Sequence, residues 1–202
     1  MASRIQLIHL ATGNAHKARE FQQLADASGS AVEFVPVTKM PAVVEDAGTF
    51  VGNARKKAVA LKATLPPEAW VLADDSGLCV DALDGAPGVE SAYYAGPQGD
   101  SAANLAKLVR TLREVPASRR GAHFRCVLVL IDGAGHEHVF EGRCSGQLLH
   151  EPRGGSGFGY DPLFVPFGHE KSLAEIGEAL KNQLSHRGKA WERLCHAGIM
   201  AQ

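Results

Sequence analysis

The sequence is short of most features that mark a specialised surface. Neither sign of charge dominates: 21 Lys+Arg stand against 22 Asp+Glu, a formal net charge of −1 over 202 residues. Proteins that coat DNA or RNA rely on many phosphate contacts from a basic surface, so that class is excluded. No apolar run approaches the ~18 residues needed to span a bilayer, which excludes a membrane-spanning helix. A signal-peptide h-region is also missing, because Met1-Ala2-Ser3-Arg4 runs straight into a strand-like segment; the expectation is a cytoplasmic protein. Cysteine is scarce. Cys79, Cys126, Cys144 and Cys195 form no C-x-x-C pair and no metal-ligand spacing, and read as small buried residues in a reducing compartment. His136 and His138 lie two apart with no further ligands nearby, too little for a zinc site. Only 21% of residues are charged while 45% are hydrophobic, so the chain can bury a sizeable core and is not disordered.

Glycine is present in number, and its 22 copies bunch at a few places. Ile5 to Leu10 reads as a buried strand, then Thr12-Gly13-Asn14 leads into a helix with Ala18, Phe21, Leu24 and Ala25 on one face and Gly29 as its stop. A second strand, Val32 to Val37, is broken by Pro36. Pro41 to Gly48 is a loop carrying Glu45 and Asp46. Thr49 caps a helix lined by Val51, Ala54, Ala58, Leu61 and Leu65, and Pro66-Pro67 ends it. Trp70 to Ala73 is a strand, with Asp74-Asp75-Ser76-Gly77 directly after it and a turn-rich loop at Asp84 to Gly88. A helix starts at Asp100 or Ser101 with Leu105, Leu108, Val109 and Leu112 in register. Phe124 to Ile131, Asp132-Gly133 and His136 to Gly142 read as a hairpin. Ser172 with Glu175 makes a capping box opening a helix over Leu173, Ile176 and Leu180, and Ser185 caps a last helix burying Ala190, Trp191 and Leu194. Strands alternate with helices in the first half and pair as a hairpin in the second. The pattern predicts an α/β fold, a mixed sheet flanked by helices, with ligands bound at loops beyond the strand ends.

Those loops carry the chemistry. Thr12 to Lys17 sits at a strand-to-helix junction, where backbone N–H groups and the positive helix end attract anions. It lacks the spacing of a Walker A loop. The Asp74-Asp75 pair needs a cation or donors to hold two adjacent acids, and hard oxygen ligands suit Mg²⁺. Glu45-Asp46 is a second acidic pair that can complete a metal shell. The run from Gly157 to Pro162 sets Phe158 and Tyr160 on a flexible backbone beside Asp161, suited to close approach by a flat base. It matches neither a dinucleotide fingerprint nor a serine-hydrolase elbow. Each motif alone also has a plain structural reading: an ordinary turn, a solvated lysine, a helix cap.

Together they stand in the order of one family. Thr12-Gly13-Asn14-x-x-Lys17, Asp74-Asp75-Ser76-Gly77-Leu78, Gly85-Ala86-Pro87-Gly88, Gly157-Phe158-Gly159-Tyr160-Asp161-Pro162 and Ser185-His186-Arg187-Gly188 resemble the inosine triphosphate pyrophosphatase family over essentially the whole chain. The resemblance implies a single nucleoside triphosphate pyrophosphatase domain over residues 1–202, with two lobes around a central nucleotide-binding cleft, Mg²⁺ dependence and a homodimer. It implies hydrolysis of ITP, dITP and XTP to the monophosphate and pyrophosphate, which cleanses the nucleotide pool. By the same resemblance Thr12, Gly13, Asn14, Ala15, His16 and Lys17 bind phosphate, with Lys57 also on the triphosphate. Glu45 and Asp75 hold metal with Asp46 and Asp74 close by. Asp75 is the proton acceptor, Ser76 touches substrate, and Phe158, Gly159, Tyr160, Asp161, Lys181, His186 and Arg187 hold base and sugar.

Several expectations follow from this assignment. Asp75, with a reference pKa of about 3.9, orients or deprotonates the water that attacks the α-phosphorus, and pyrophosphate leaves with its charge spread over Mg²⁺, Lys17 and Lys57. Arg187 carries only donors and so favours the O6 acceptor of hypoxanthine or xanthine over the amino group of adenine. The four acids lie on one side of the cleft, with Lys17, Lys57, Lys181 and Arg187 around the rest. Gly52 stands where similar sequences often carry glutamate, at a cost to the helix of order 0.5–1 kcal/mol. Two alternatives stay open: a hydrolase of the same architecture acting on altered pyrimidines or methylated bases, and a nucleotide-binding regulatory module without turnover.

Overall fold

The computed structural model describes residues 5–201 except 36 and 38, so Met1–Arg4 and the strand-breaking Pro36 lie outside the described residues. Its elements run β1 (Gln6–Leu10), α1 (Ala15–Ser28), β2 (Val32–Val35), α2 (Phe50–Lys62), β3 (Trp70–Val80), α3 (Ser101–Thr111), β4 (Gly121–Ile131), β5 (Glu137–Leu148), β6 (Phe164–Pro166), α4 (Glu178–Leu184) and α5 (His186–His196). The strands form one mixed sheet in the order β2-β1-β3-β4-β5-β6. β1 runs parallel to both β2 and β3, and β5 is antiparallel to β6. Among the described residues no helix is long and apolar enough to cross a membrane.

The chain divides into two compact units: Met1–Asp75, Cys126–Gly142 and Arg187–Gln202 form the first, and Ser76–Arg125 with Arg143–His186 form the second. In the first unit, strand alternation sends neighbouring side chains to opposite faces. Leu72 joins Cys126, Leu128 and Leu130 in a core closed by Phe21 and Leu24 of α1 and Ala190, Trp191 and Leu194 of α5. Val71 and Ala73 join Val129 and Ile131 on the other face, closed by Ala54, Ala58 and Leu61 of α2. The second unit packs Leu108 of α3 and Leu112 at its C-terminal cap against Leu78, Val80, Phe124, Leu148 and Phe164. There Arg120, 1% exposed, donates to the carbonyls of Leu112, Val115 and Leu149. All four cysteines are free; burial pushes the Cys126 thiol up to about 12, and the Cys79 and Cys195 thiols also rise through burial.

Local signals that involve only neighbouring residues appear as expected. Thr49 Oγ1 accepts from Gly52 N–H, Asp100 caps α3 through Ala102 and Ala103, and Gly29 closes α1. Three expectations need correction. β3 runs on through Asp74-Asp75-Ser76-Gly77 to Val80; the acids lie within the strand, because cations from other elements meet them. β2 stops at Val35. Ser172 and Glu175 form only half of the capping box, Glu175 Oε2 accepting from Ser172 N–H at 2.8 Å. The segment makes only a turn, since Ser172 Oγ donates to Arg153 O, and α4 begins after Gly177.

Candidate active site

The alternation of β3 decides what Asp74 and Asp75 can do. Asp74 follows Leu72 onto the α1/α5 face, and Asp75 follows Ala73 onto the α2 face, so two adjacent carboxylates meet different partners. Asp74, 1% exposed, lies 2.9 Å from Lys17 Nζ of α1 and 3.4 Å from Arg187 Nη2 of α5. Burial pushes its carboxyl up, but Lys17, Arg187 and Lys57 outweigh that and hold it well below the usual carboxylate range. The other end of the Arg187 guanidinium, Nη1, donates to Glu20 of α1. Arg187 is buried at a cost that these two acids more than offset, which raises its pKa further.

On the opposite face Lys57 Nζ of α2 lies 3.3 Å from Asp75 Oδ1 and 2.7 Å from Glu45 Oε2. Burial works against the Lys57 ammonium, and Asp74, Asp75 and Glu45 overcome it, so its pKa rises. Burial likewise raises the Asp75 carboxyl against the pull of Lys57 and Lys17. Its second oxygen, Oδ2, is buried with no hydrogen-bond partner among the described residues. The acidic loop is held over α2 by a buried side chain: Asn53 Oδ1 accepts from Ala47 N–H at 3.0 Å. Gly52 makes this possible. A Cβ there would lie 2.5 Å from Ala47 Cβ, so the missing side chain is space for the loop as well as a loss of helix propensity.

The segment Thr12–Lys17, expected to bind phosphate, is largely exposed, and its cap is already engaged. Asn14 Oδ1 accepts from His16 and Lys17 N–H at 2.9 and 3.3 Å, and Thr12 Oγ1 accepts from Asn14 N–H at 3.1 Å. Asp46 turns away from the other acids to an exposed pairing with Lys56.

The second unit holds a separate polar group. Asp161 Oδ2 accepts from Phe158 N–H and from Lys181 Nζ, both at 2.9 Å. The Lys181 ammonium also sits 5.4 Å from the centre of the Phe158 ring. Gly157 adopts φ +78°, and a Cβ there would lie 2.4 Å from Asp161 Oδ2, so the loop closes on its own carboxylate only with glycine. Tyr160 is drawn into the core, its hydroxyl donating to Ser91 O at 2.9 Å; Phe158 is the half-buried aromatic of the loop. His186 stacks on Phe124 at 4.8 Å. Ser76 is half-buried within β3, not beyond it as the motif predicts, and Gly159 is half-buried in its loop.

The sequence profile of the Ham1 family matches residues 8–197. The chain belongs to the Ham1 family. It is 61% identical over 198 residues to the dITP/XTP pyrophosphatase of Opitutus terrae, covering 95% of this chain and 98% of that one. It is 48% identical to the dITP/XTP pyrophosphatase of Rhodopirellula baltica, covering 90% and 87%. Among solved structures, the Staphylococcus aureus Ham1 protein superposes with a TM-score of 0.81 at 33% identity over 95% of this chain and 97% of that one. The family resemblance carried by the five motifs is thereby borne out.

In this Ham1-family chain the acids and cations are not segregated as expected. Each cation that the motifs single out meets a carboxylate: Lys17 on Asp74, Lys57 on Asp75 and Glu45, Lys181 on Asp161, and Arg187 on Glu20 and Asp74. The reason is burial, because a charge removed from water needs a partner. Glu20 and Asn53 are missing from the sequence-based site. Glu20 lies three residues after Lys17 on the same helix face, a spacing that leaves its Arg187 partner, 167 positions away, invisible. Among the described residues no three His, Cys, Asp or Glu converge as a ready metal site.

Proposed function

We propose that this protein hydrolyses non-canonical purine nucleoside triphosphates, namely ITP, dITP and XTP, to the monophosphate and pyrophosphate. The carrying observation is the β3 pair: Asp74 neutralised by Lys17 and Arg187, Asp75 buried with one oxygen uncompensated. The substrate class rests on what relatives at 61% and 48% identity are named for. The phosphates go to Thr12–Lys17 and Lys57, with Ser76 beside Asp75. By the family resemblance Phe158, Asp161, Lys181, His186 and Arg187 serve base and sugar, where a donor suits the O6 acceptor of hypoxanthine and xanthine.

Mg²⁺ is the cofactor of this reading. It commonly uses one or two carboxylates together with substrate phosphates, and Asp75 with Glu45 supplies such a pair. The uncompensated Asp75 Oδ2 fits a hard cation, whereas Asp46 and Asp74 are occupied by lysine and arginine. When bound, the ion supplies neutralisation of phosphate charge. Asp75 accepts the proton of the water that attacks the α-phosphorus. The bond from that phosphorus to the bridging oxygen breaks, pyrophosphate leaves, and Asp75 returns its proton to solvent. The homodimer and the cytoplasmic location are supported by the family resemblance.

The test is pyrophosphate release from dITP with Mg²⁺, compared with EDTA and with dATP, dGTP and modified pyrimidine triphosphates. Release from dITP that EDTA abolishes and dATP does not match supports the reading. Equal turnover of dATP, or no pyrophosphate at all, overturns it.

A further inference from the structure

We propose that Lys57 is an internal counter-cation that exchanges with the divalent ion: its ammonium holds Glu45 and Asp75 while the metal is absent and is released by metal binding, which makes it available to the triphosphate. This rests on the reading that Glu45 and Asp75 hold the ion.

Three features of the cluster carry it. The described contacts of the first unit join four carboxylates, Glu20, Glu45, Asp74 and Asp75, to the cations Lys17, Lys57 and Arg187. Within that group the partners are unevenly shared. Asp74 has two cations, whereas Glu45 and Asp75 share the single Lys57 ammonium, at 2.7 and 3.3 Å. The carboxylates that suit a metal are thus the ones that depend on Lys57. An ammonium held between both carboxylates is driven off when a divalent ion binds the free Asp75 Oδ2 and Glu45, because like charges at that distance repel strongly.

The loop is built to survive the exchange. Glu45 is tied to α2 by Lys57, and Ala47 is tied to the same helix by Asn53, one turn earlier. Losing the lysine contact therefore leaves the loop seated by its backbone, with Gly52 providing the room. Metal and triphosphate then bind with positive coupling, since one frees the charge that the other uses.

The experiment uses the full chain without nucleotide. Trace acetylation with acetic anhydride, read by mass spectrometry, compares Lys57 with Lys17 as Mg²⁺ is added, and calorimetry follows Mg²⁺ binding in parallel. We expect Lys57 labelling to rise several-fold at saturating Mg²⁺ while Lys17 labelling stays nearly constant. Lys57→Met is expected to bind Mg²⁺ alone more tightly, on the order of tenfold, and Lys17→Met far less so. If calorimetry shows Mg²⁺ binding that Glu45→Gln removes, yet Lys57 labelling is unchanged or falls, the exchange is overturned and the metal reading stands. If Glu45→Gln leaves Mg²⁺ binding intact, the metal reading falls and the exchange with it. Should Lys57→Met fail to fold, the labelling of the unaltered protein decides. Equal tightening in Lys17→Met also overturns the exchange, because a general loss of positive charge would then explain it.

Discussion

Both units bury a lysine against a carboxylate, and they do so differently. In the second unit Lys181 and the Phe158 N–H converge on one oxygen of Asp161 within a glycine loop. In the first unit Lys57 is stretched between two carboxylates, one of which keeps an uncompensated oxygen. A satisfied pair fixes shape, which suits recognition of a base. An incompletely compensated cluster invites further charge, which suits a metal and a reacting phosphate.

The sharpest way to break this comparison is Asp75→Asn. It removes the proposed proton acceptor and should lower kcat for dITP by about 10³-fold with little change in KM. Near-normal turnover would move the chemistry elsewhere. Asp161→Asn keeps the size of the second unit's carboxylate but loses its charge. Expected is a fall of about 10-fold to 100-fold in the dITP/dATP ratio of kcat/KM, with the Mg²⁺ dependence unaltered. A change in the Mg²⁺ requirement instead would show that the two clusters are not divided by task.

Gly52→Ala tests the seat of the acidic loop. The added methyl meets Ala47, and thermal unfolding should show a loss of about 1–2 kcal/mol despite better helix propensity. A stabilised variant would mean that the loop moves aside freely. The smallest effect is expected at Asp132, a carboxylate of the first unit with the opposite character to Asp75. Burial pushes Asp132 up, but hydrogen bonds from His138, His136 N–H and Ala134 N–H hold it at about 2. A carboxyl depressed in the fold stabilises above its unfolded pKa of about 3.9 and loses that contribution as pH falls towards 2. Asp132→Asn should therefore cost about 1 kcal/mol near neutrality and almost nothing near pH 2. An equal loss at both pH values would remove the charge from the explanation.

Much of the fold is legible from neighbours alone. Thr49, Asp100 and Gly29 act within a turn of their own position, and the α2 and α3 stripes need only their own periodicity. What escapes is whatever depends on distant charge. Asp74-Asp75 reads locally as a turn; the strand continues because α1, α2 and α5 bring Lys17, Lys57 and Arg187 to it. Tyr160 sits in a loop motif like a stacking residue, yet its ring belongs to the core. The motifs name most of the charged site residues but not who holds whom, and Glu20 and Asn53 enter only through such pairings.

The cysteines add a last consequence. Oxidation begins with the thiolate, and burial keeps Cys79, Cys126 and Cys195 protonated well above neutrality, while Cys144 is shut inside the second unit. Peroxide that silences thiolate enzymes should leave this one running. That endurance comes simply from where its sulfur atoms lie.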